Sequence, residues 1–107
     1  MTTMAIIETH LIDEDGAPRG GRTAGLGLLI HWQNGPLGRG PDRQPPNGAF
    51  VETVIQAAIG RLQHYQGTRF ACRENARAIT SLEEALAWLH VRTGDREARQ
   101  VEGTHAV

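Results

Sequence analysis

From Val51 onward the chain is written in a helical period, and that period limits the folds open to it more than any other feature. Val51, Val54, Ile55, Ala58, Ile59, Leu62 and Tyr65 recur at three- and four-residue steps and form one apolar stripe that stops at Gly67. A second stripe, Ala78, Ile79, Leu82, Ala85, Leu86 and Leu89 with Trp88 alongside, follows after a short connection over 66–71. Two long amphipathic helices on so short a connection pack antiparallel, as a hairpin. Asn47, directly after Pro46, is a suitable N-cap, which gives the first helix the span 47–66. Ser81 and Glu84 have capping-box spacing, but the apolar steps pass through Ile79 to Leu82 unbroken, so a single second helix over 73–99 is expected. Trp88 is assigned to packing, and Cys72 to a buried or half-buried small apolar position.

Before residue 47 the character changes. The segments 4–12 and 26–33 carry β-branched and apolar residues at strand length, and the turn-rich stretch 13–21 lies between them. Two strands joined by a loop are expected there. The stretch 34–46 holds three Gly and four Pro, together with Arg39 and Arg43, and a regular element is not expected in it. The fold class is therefore α+β: one domain over 1–107, with a small N-terminal antiparallel β layer (1–33), a Gly/Pro-rich loop (34–46), the helical hairpin, and a tail over 100–107. A two-stranded ribbon is marginal alone. A chain this short buries only about 65% of its unfolded surface. Apolar surface on Ile55, Ile59, Leu82 or Leu86 should then be left for a second copy of the chain, so a homo-oligomer is expected, at least a dimer.

Every side-chain cation other than histidine is an arginine: there are eleven Lys+Arg, and no lysine occurs. Seven of the arginines fall in the second half, where Arg69, Arg73 and Arg77 and then Arg92, Arg96 and Arg99 line stripes of a helix. Guanidinium forks grip phosphate bidentately, which a lysine cannot do. Composition alone also fits solvated helix faces written in arginine. The formal net charge of -1 gives no global field for a nucleic-acid backbone, and Glu74, Glu83, Glu84, Asp95 and Glu97 interrupt the basic rows. An anion site, if present, is local, and nucleic acid is disfavoured as a partner.

Other classes are excluded by what is missing. The one cysteine rules out an internal disulfide framework and suits a reducing compartment. The five histidines, at 10, 31, 64, 90 and 105, show no metal-ligand spacing, so no metal and no cofactor are expected. No Gly-rich phosphate loop leads into a helix, and no Ser-His or Cys-His pair suggests a nucleophile, so no catalytic residue is expected and the chain reads as a binder rather than an enzyme. The longest apolar run, 26–30, is too short to span a membrane.

The run from Phe70-Ala71-Cys72-Arg73-Glu74-Asn75 through Leu82-Glu83-Glu84-Ala85-Leu86 to Trp88-Leu89, then Arg92-Thr93, Arg96 and Val101-Glu102-Gly103-Thr104, resembles a bacteriophage family. That family is the helical-hairpin anti-defence sponges, found as Thoeris anti-defence and anti-CBASS proteins, which sequester cyclic nucleotide immune messengers without degrading them. Trp32-Gln33-Asn34-Gly35-Pro36 and the segment from Asn47-Gly48-Ala49-Phe50 to Tyr65 are similar to its Thoeris branch, which adds a small β layer to the hairpin.

The resemblance implies a glycocyclic ADP-ribose pocket built from Asn75, Arg92 and Arg96, with an aromatic platform from Phe70, Tyr65 or Trp32, Phe70 ranked first. Arg39 and Arg43 are candidates for a covering loop. It also implies a second, oligomer-dependent pocket for cyclic di- and trinucleotides, placed provisionally at Arg99, Gly103 and Thr104. A hexamer and action in the cytoplasm of the infected bacterial host are further implications. Gln100-Val101 departs from the family's commoner Gly-Val, and Gly94 is expected to interrupt the last helix between Arg92 and Arg96.

Each residue also has an ordinary structural reading. Arg92 and Arg96 complement a helix C-terminus or pair with Glu97, Asn75 is a first-turn polar residue, Phe70 and Tyr65 plug the hairpin end, and 101–104 is a frayed terminus. A nucleic-acid-binding module that uses the arginine rows on phosphate, and a hairpin adaptor for a protein partner, both without a nucleotide ligand, are the other functional classes that stay open.

Overall fold

The computed structural model describes residues 5–107, and these divide into two compact units. One comprises 5–50 with 101–107; the other is Val51–Gln100.

The first unit is built on a three-stranded antiparallel sheet in the order β1 (Ile7–Ile12), β2 (Pro18–Gly25), β3 (Leu28–Trp32). Two strands were expected, so β2 is a correction: it takes in the last four residues, 18–21, of the segment read as a turn and continues to Gly25. Only residues 13–17 turn, held by the Asp13 carboxylate, which accepts from the backbone N–H of Asp15 at 2.9 Å and of Ala17 at 3.0 Å. Gly20 and Gly21 suggested a loop, but Gly21 serves close strand approach instead. Its φ is +140°, and a Cβ there would run into the carbonyl oxygen of Thr9 on β1. The expected strand start at Met4 lies outside the described residues.

Strand alternation and register put Glu8, Thr23 and Ile30 side by side on one face of the sheet. Thr23 is buried, and its hydroxyl accepts from the Trp32 indole N–H at 2.8 Å and donates to Glu8 at 3.4 Å. Beyond β3 the chain returns to pair with it. Gln33 N–H donates to the Ala49 carbonyl at 3.0 Å and Ala49 N–H to the His31 carbonyl at 2.7 Å, a parallel bridge between Trp32 and Ala49. The Gln33 side chain accepts from the backbone N–H of Asn47 at 2.8 Å and of Gly48 at 3.2 Å. Asn34 and Asn47 exchange two further bonds, at 2.8 and 2.9 Å. Asn47 is thus part of this clamp and not a helix N-cap, a second correction; the first helix begins four residues later. A third concerns the loop, where Gly40–Asp42 forms a single 3₁₀ turn started by Pro41.

The second unit is the expected hairpin, α1 (Val51–Gln66) and α2 (Arg73–Ala98). Among the described residues Ile59 is the one buried apolar side chain, with Val54, Ile55 and Leu62 of α1 and Ile79, Leu82 and Leu86 of α2 half-buried. These lie at the three- and four-residue steps of a coiled-coil seam. Of the residues expected to leave apolar surface for a second copy, Ile59 is buried in this seam, whereas Ile55, Leu82 and Leu86 are half-buried in it and keep part of their surface. The exposed large apolar residues of this unit are Val51, Tyr65, Phe70, Trp88 at 67% and Val91. Trp88 is thus largely exposed, contrary to its assignment to packing, because it projects from the side of α2 away from the seam.

The turn is fixed by a side chain: Gln66 accepts from Cys72 N–H and donates to Cys72 C=O, both at 2.9 Å. Cys72 is exposed, not buried, and serves as the N-cap of α2, its Sγ accepting from Asn75 N–H at 3.4 Å. α2 runs unbroken through Gly94, which corrects the expected interruption, since helical hydrogen bonding on both sides outweighs the roughly 1 kcal/mol propensity cost of one glycine. It ends at Ala98 with Arg99 as its C-cap, after which Gln100 adopts φ +60°, the left-handed conformation that closes many helices. A Cβ costs about 1 kcal/mol in that conformation, so Gln100→Gly is expected to raise stability by about that amount, measured by urea unfolding followed by circular dichroism.

Candidate ligand-binding residues on the hairpin and the loop

α2 carries three of the expected ligand residues on one rigid rod. Asn75 sits in its first turn and is half-buried, and its side-chain amide reaches no partner among the described residues. Arg92 is exposed and Arg96 half-buried, one turn apart near the other end. Asn75 and Arg92 are separated by seventeen residues, about 25 Å of helix rise, so one chain does not bring them together. Arg99 forms an i,i+4 ion pair with Asp95 at 3.0 Å, an exposed contact of small energetic weight.

Phe70 lies in the hairpin turn, 66% exposed, with the Arg69 guanidinium over its ring at 4.8 Å from the centroid. One ring face is therefore taken by a cation, and stacking of another group falls to the opposite face. Tyr65, in the last turn of α1, has the same arrangement: Arg61 stands over its ring at 5.0 Å and donates from Nε to its hydroxyl at 3.2 Å. These two arginine–aromatic pairs were not read from the sequence. The four-residue spacing of Arg61 and Tyr65 on one helix was the signal that could have found the first.

The other expected residues belong to the sheet unit. Trp32 is half-buried, its indole N–H committed to Thr23. Arg39 donates from Nη1 to the carbonyl of Glu102 at 2.9 Å, and Arg43 grips the Glu102 carboxylate with both Nη1 and Nη2, at 2.6 and 2.8 Å. Gly103, expected in a different pocket from Arg39, receives the Gly38 N–H on its carbonyl at 2.8 Å. The Thr104 hydroxyl donates to Val101 C=O at 2.6 Å and accepts from Ala106 N–H at 3.1 Å, so 101–106 is ordered by its own bonds. The structure thus draws the loop arginines and the tail glycine together around Glu102, a residue for which sequence distance offered no signal. An open depression on the sheet, lined by Ile7, Thr9, Arg22 and Ala24, holds none of the expected residues.

The family model described as "Acb2/Tad1, hairpin domain" matches residues 29–94, from β3 to the penultimate turn of α2. The chain belongs to the Acb2/Tad1 hairpin family. Thoeris anti-defense 1 of Bacillus phage SBSphiJ7 is 49% identical over 82 residues, which cover 77% of this chain and 55% of the relative. The chain thus spans about half the length of that relative. Within the family segment lie Trp32, Arg39, Phe70, Asn75 and Arg92, while Arg96, Arg99, Gly103 and Thr104 fall beyond it. Among the described residues, no helix is long and apolar enough to cross a membrane.

Proposed function

We propose that this protein is a phage anti-defence sponge: it binds a cyclic nucleotide immune signal of the glycocyclic ADP-ribose type and holds it without breaking it, in the cytoplasm of the infected bacterium. The observation that carries this reading is the match to the hairpin domain, joined to a relative named for Thoeris anti-defence. The chemistry of the residues on the hairpin supports it. A pyrophosphate requires bidentate donors, which Arg92 and Arg96 offer, and a purine requires a flat face, which Phe70 offers on the side away from Arg69. The half-buried Asn75 amide has donors and an acceptor left for a ligand.

Because α2 holds Asn75 and Arg92 about 25 Å apart, a pocket containing both takes them from two chains. Two copies related by a two-fold axis, with their α2 helices antiparallel, would set Asn75 of one beside Arg92 and Arg96 of the other and repeat the pocket by symmetry. The exposed Trp88 and Val91 on α2 give such a pairing apolar area to bury.

The test is a capture and release. The protein is incubated with a mixture of cyclic nucleotides, freed of unbound ligand and heat-denatured, and what comes off is identified by mass. An intact cyclic messenger is the expected product. Hydrolysed or linearised product that accumulates with incubation time would make the protein an enzyme, and the release of nothing would leave the hairpin as an adaptor for a macromolecule.

A further inference from the structure

We propose that Glu102 is a positioning residue: the segment Val101–Val107 closes as a clasp on the loop over 34–46, and Glu102 within it fixes Arg39 and Arg43 before any ligand arrives. The clasp itself stands on the geometry of the sheet unit; the use made of Arg39 rests on the proposed function, in which it is a ligand residue.

One residue engages both arginines through different atoms. Its carboxylate takes both Nη atoms of Arg43 at 2.6 and 2.8 Å, and its backbone carbonyl takes Nη1 of Arg39 at 2.9 Å. Arg43 Nη1 also donates to the Gly38 carbonyl at 3.2 Å, and Gly38 N–H donates to the Gly103 carbonyl at 2.8 Å, so the clasp is made from both sides. The fit is close: a Cβ on Gly103 would collide with the Gly38 carbonyl oxygen. The Glu102 side chain is only 18% exposed, while that of Arg43 is 40% exposed.

The clamp of Gln33, Asn34 and Asn47 holds the two ends of the loop, and between them its own backbone bonds are few. Its internal backbone bonds are Arg43 N–H to Gly40 C=O at 3.1 Å and Gln44 N–H to Leu37 C=O at 2.7 Å, in a segment too rich in Gly and Pro for a ladder. An arginine on an unanchored loop loses rotamer and backbone freedom when it grips an anion, whereas one already held loses less and binds more tightly for the same contacts. Arg39 uses one of its five N–H donors on Glu102 and keeps the rest of its fork for a phosphate-class anion.

Two measurements on the full chain test this. Without ligand, Glu102→Ala is expected to speed hydrogen exchange at the Gly38 and Gln44 amides about tenfold or more, with the α1 and α2 amides unchanged. The charge-exchanged pair Arg43→Glu with Glu102→Arg should recover part of that protection. Unchanged exchange in Glu102→Ala, with the hairpin still folded, overturns the clasp. The second measurement titrates inorganic pyrophosphate calorimetrically. Arg39→Ala and Glu102→Ala should each weaken binding about fivefold, and the double variant should bind no more weakly than Arg39→Ala alone, because Glu102 acts through Arg39. Additive losses, or no pyrophosphate binding by the unaltered protein, overturn the positioning role. Failure of the capture experiment with intact exchange effects would instead sink the sponge reading and leave the clasp standing.

Discussion

Replacement of Arg92 or Arg96 by alanine is expected to weaken nucleotide binding by about 1.5–3 kcal/mol each, roughly one to two decades in affinity, with the fold intact. The size follows from the chemistry. A guanidinium–phosphate contact is charge-assisted and bidentate, so its loss removes two directed bonds and leaves phosphate oxygens short of donors. Arg→Lys should fall between, since the charge is retained while the planar fork is lost. Both residues sit within one continuous helix, so the substitutions should leave its circular dichroism unchanged. The geometry of α2 adds a sharper form of the experiment. Mixing an Arg92→Ala/Arg96→Ala protein with an Asn75→Ala protein, after verified subunit exchange, should regenerate some whole pockets, because in the proposed pocket the two sets of residues come from different chains. Absence of recovery with both variants folded and oligomeric would show that the site is not shared across a two-fold axis.

The largest stability effect is expected at Gly48. A Cβ placed there would stand 2.6 Å from the carbonyl carbon and oxygen of Trp32 and 2.7 Å from the nitrogen of Gln33, all backbone atoms of the neighbouring strand end. Backbone cannot rotate away as a side chain tip can. Gly48→Ala is therefore expected to push the Trp32–Ala49 bridge apart and to cost about 3 kcal/mol, the upper end for an overpacked site. Urea unfolding monitored by hydrogen exchange should show the loss in the sheet unit, with the helices retained. Gly60, on an open face of α1 where an added methyl would meet nothing within 4 Å, is the control: Gly60→Ala should stabilise by about 0.5–1 kcal/mol. Equal stability of Gly48→Ala and the unaltered protein would show that the clamp yields without cost.

The same clamp gives physical content to two short motifs that the sequence offered only as likeness. Trp32-Gln33-Asn34-Gly35 and Asn47-Gly48-Ala49 bind one another: Gln33 and Asn47 satisfy backbone groups across thirteen to fifteen residues, and Gly48 lets the strands approach. Their residue types answer to backbone hydrogen bonding and close contact.

The hairpin was legible because its information is local. Apolar residues at three- and four-residue steps specify a helix and its buried side at once, and a short connection leaves two helices little choice but to fold back, so α1, α2 and the seam through Ile59 and Leu82 followed from spacing alone. The placement of Asn75, Arg92 and Arg96 along one helix was equally local, and so was the separation of about 25 Å that it creates. What depended on residues far apart in the chain was decided only by the tertiary structure. β2 reads as a turn until β1 and β3 pair with both its edges, because glycine lacks strand propensity and gains its strand state from the neighbours it admits. Asn47 is a good N-cap in sequence and a clamp residue in space, since Gln33 and Asn34 compete for its polar groups. Trp88, alongside the apolar stripe and assigned to packing, lies outside the seam, because α1 covers only one side of α2. Glu102 meets Arg39 and Arg43 across sixty-three and fifty-nine residues, and no periodicity reaches that far: a hydrogen bond between distant segments has no spacing in the sequence and exists only once the backbone has brought its partners together.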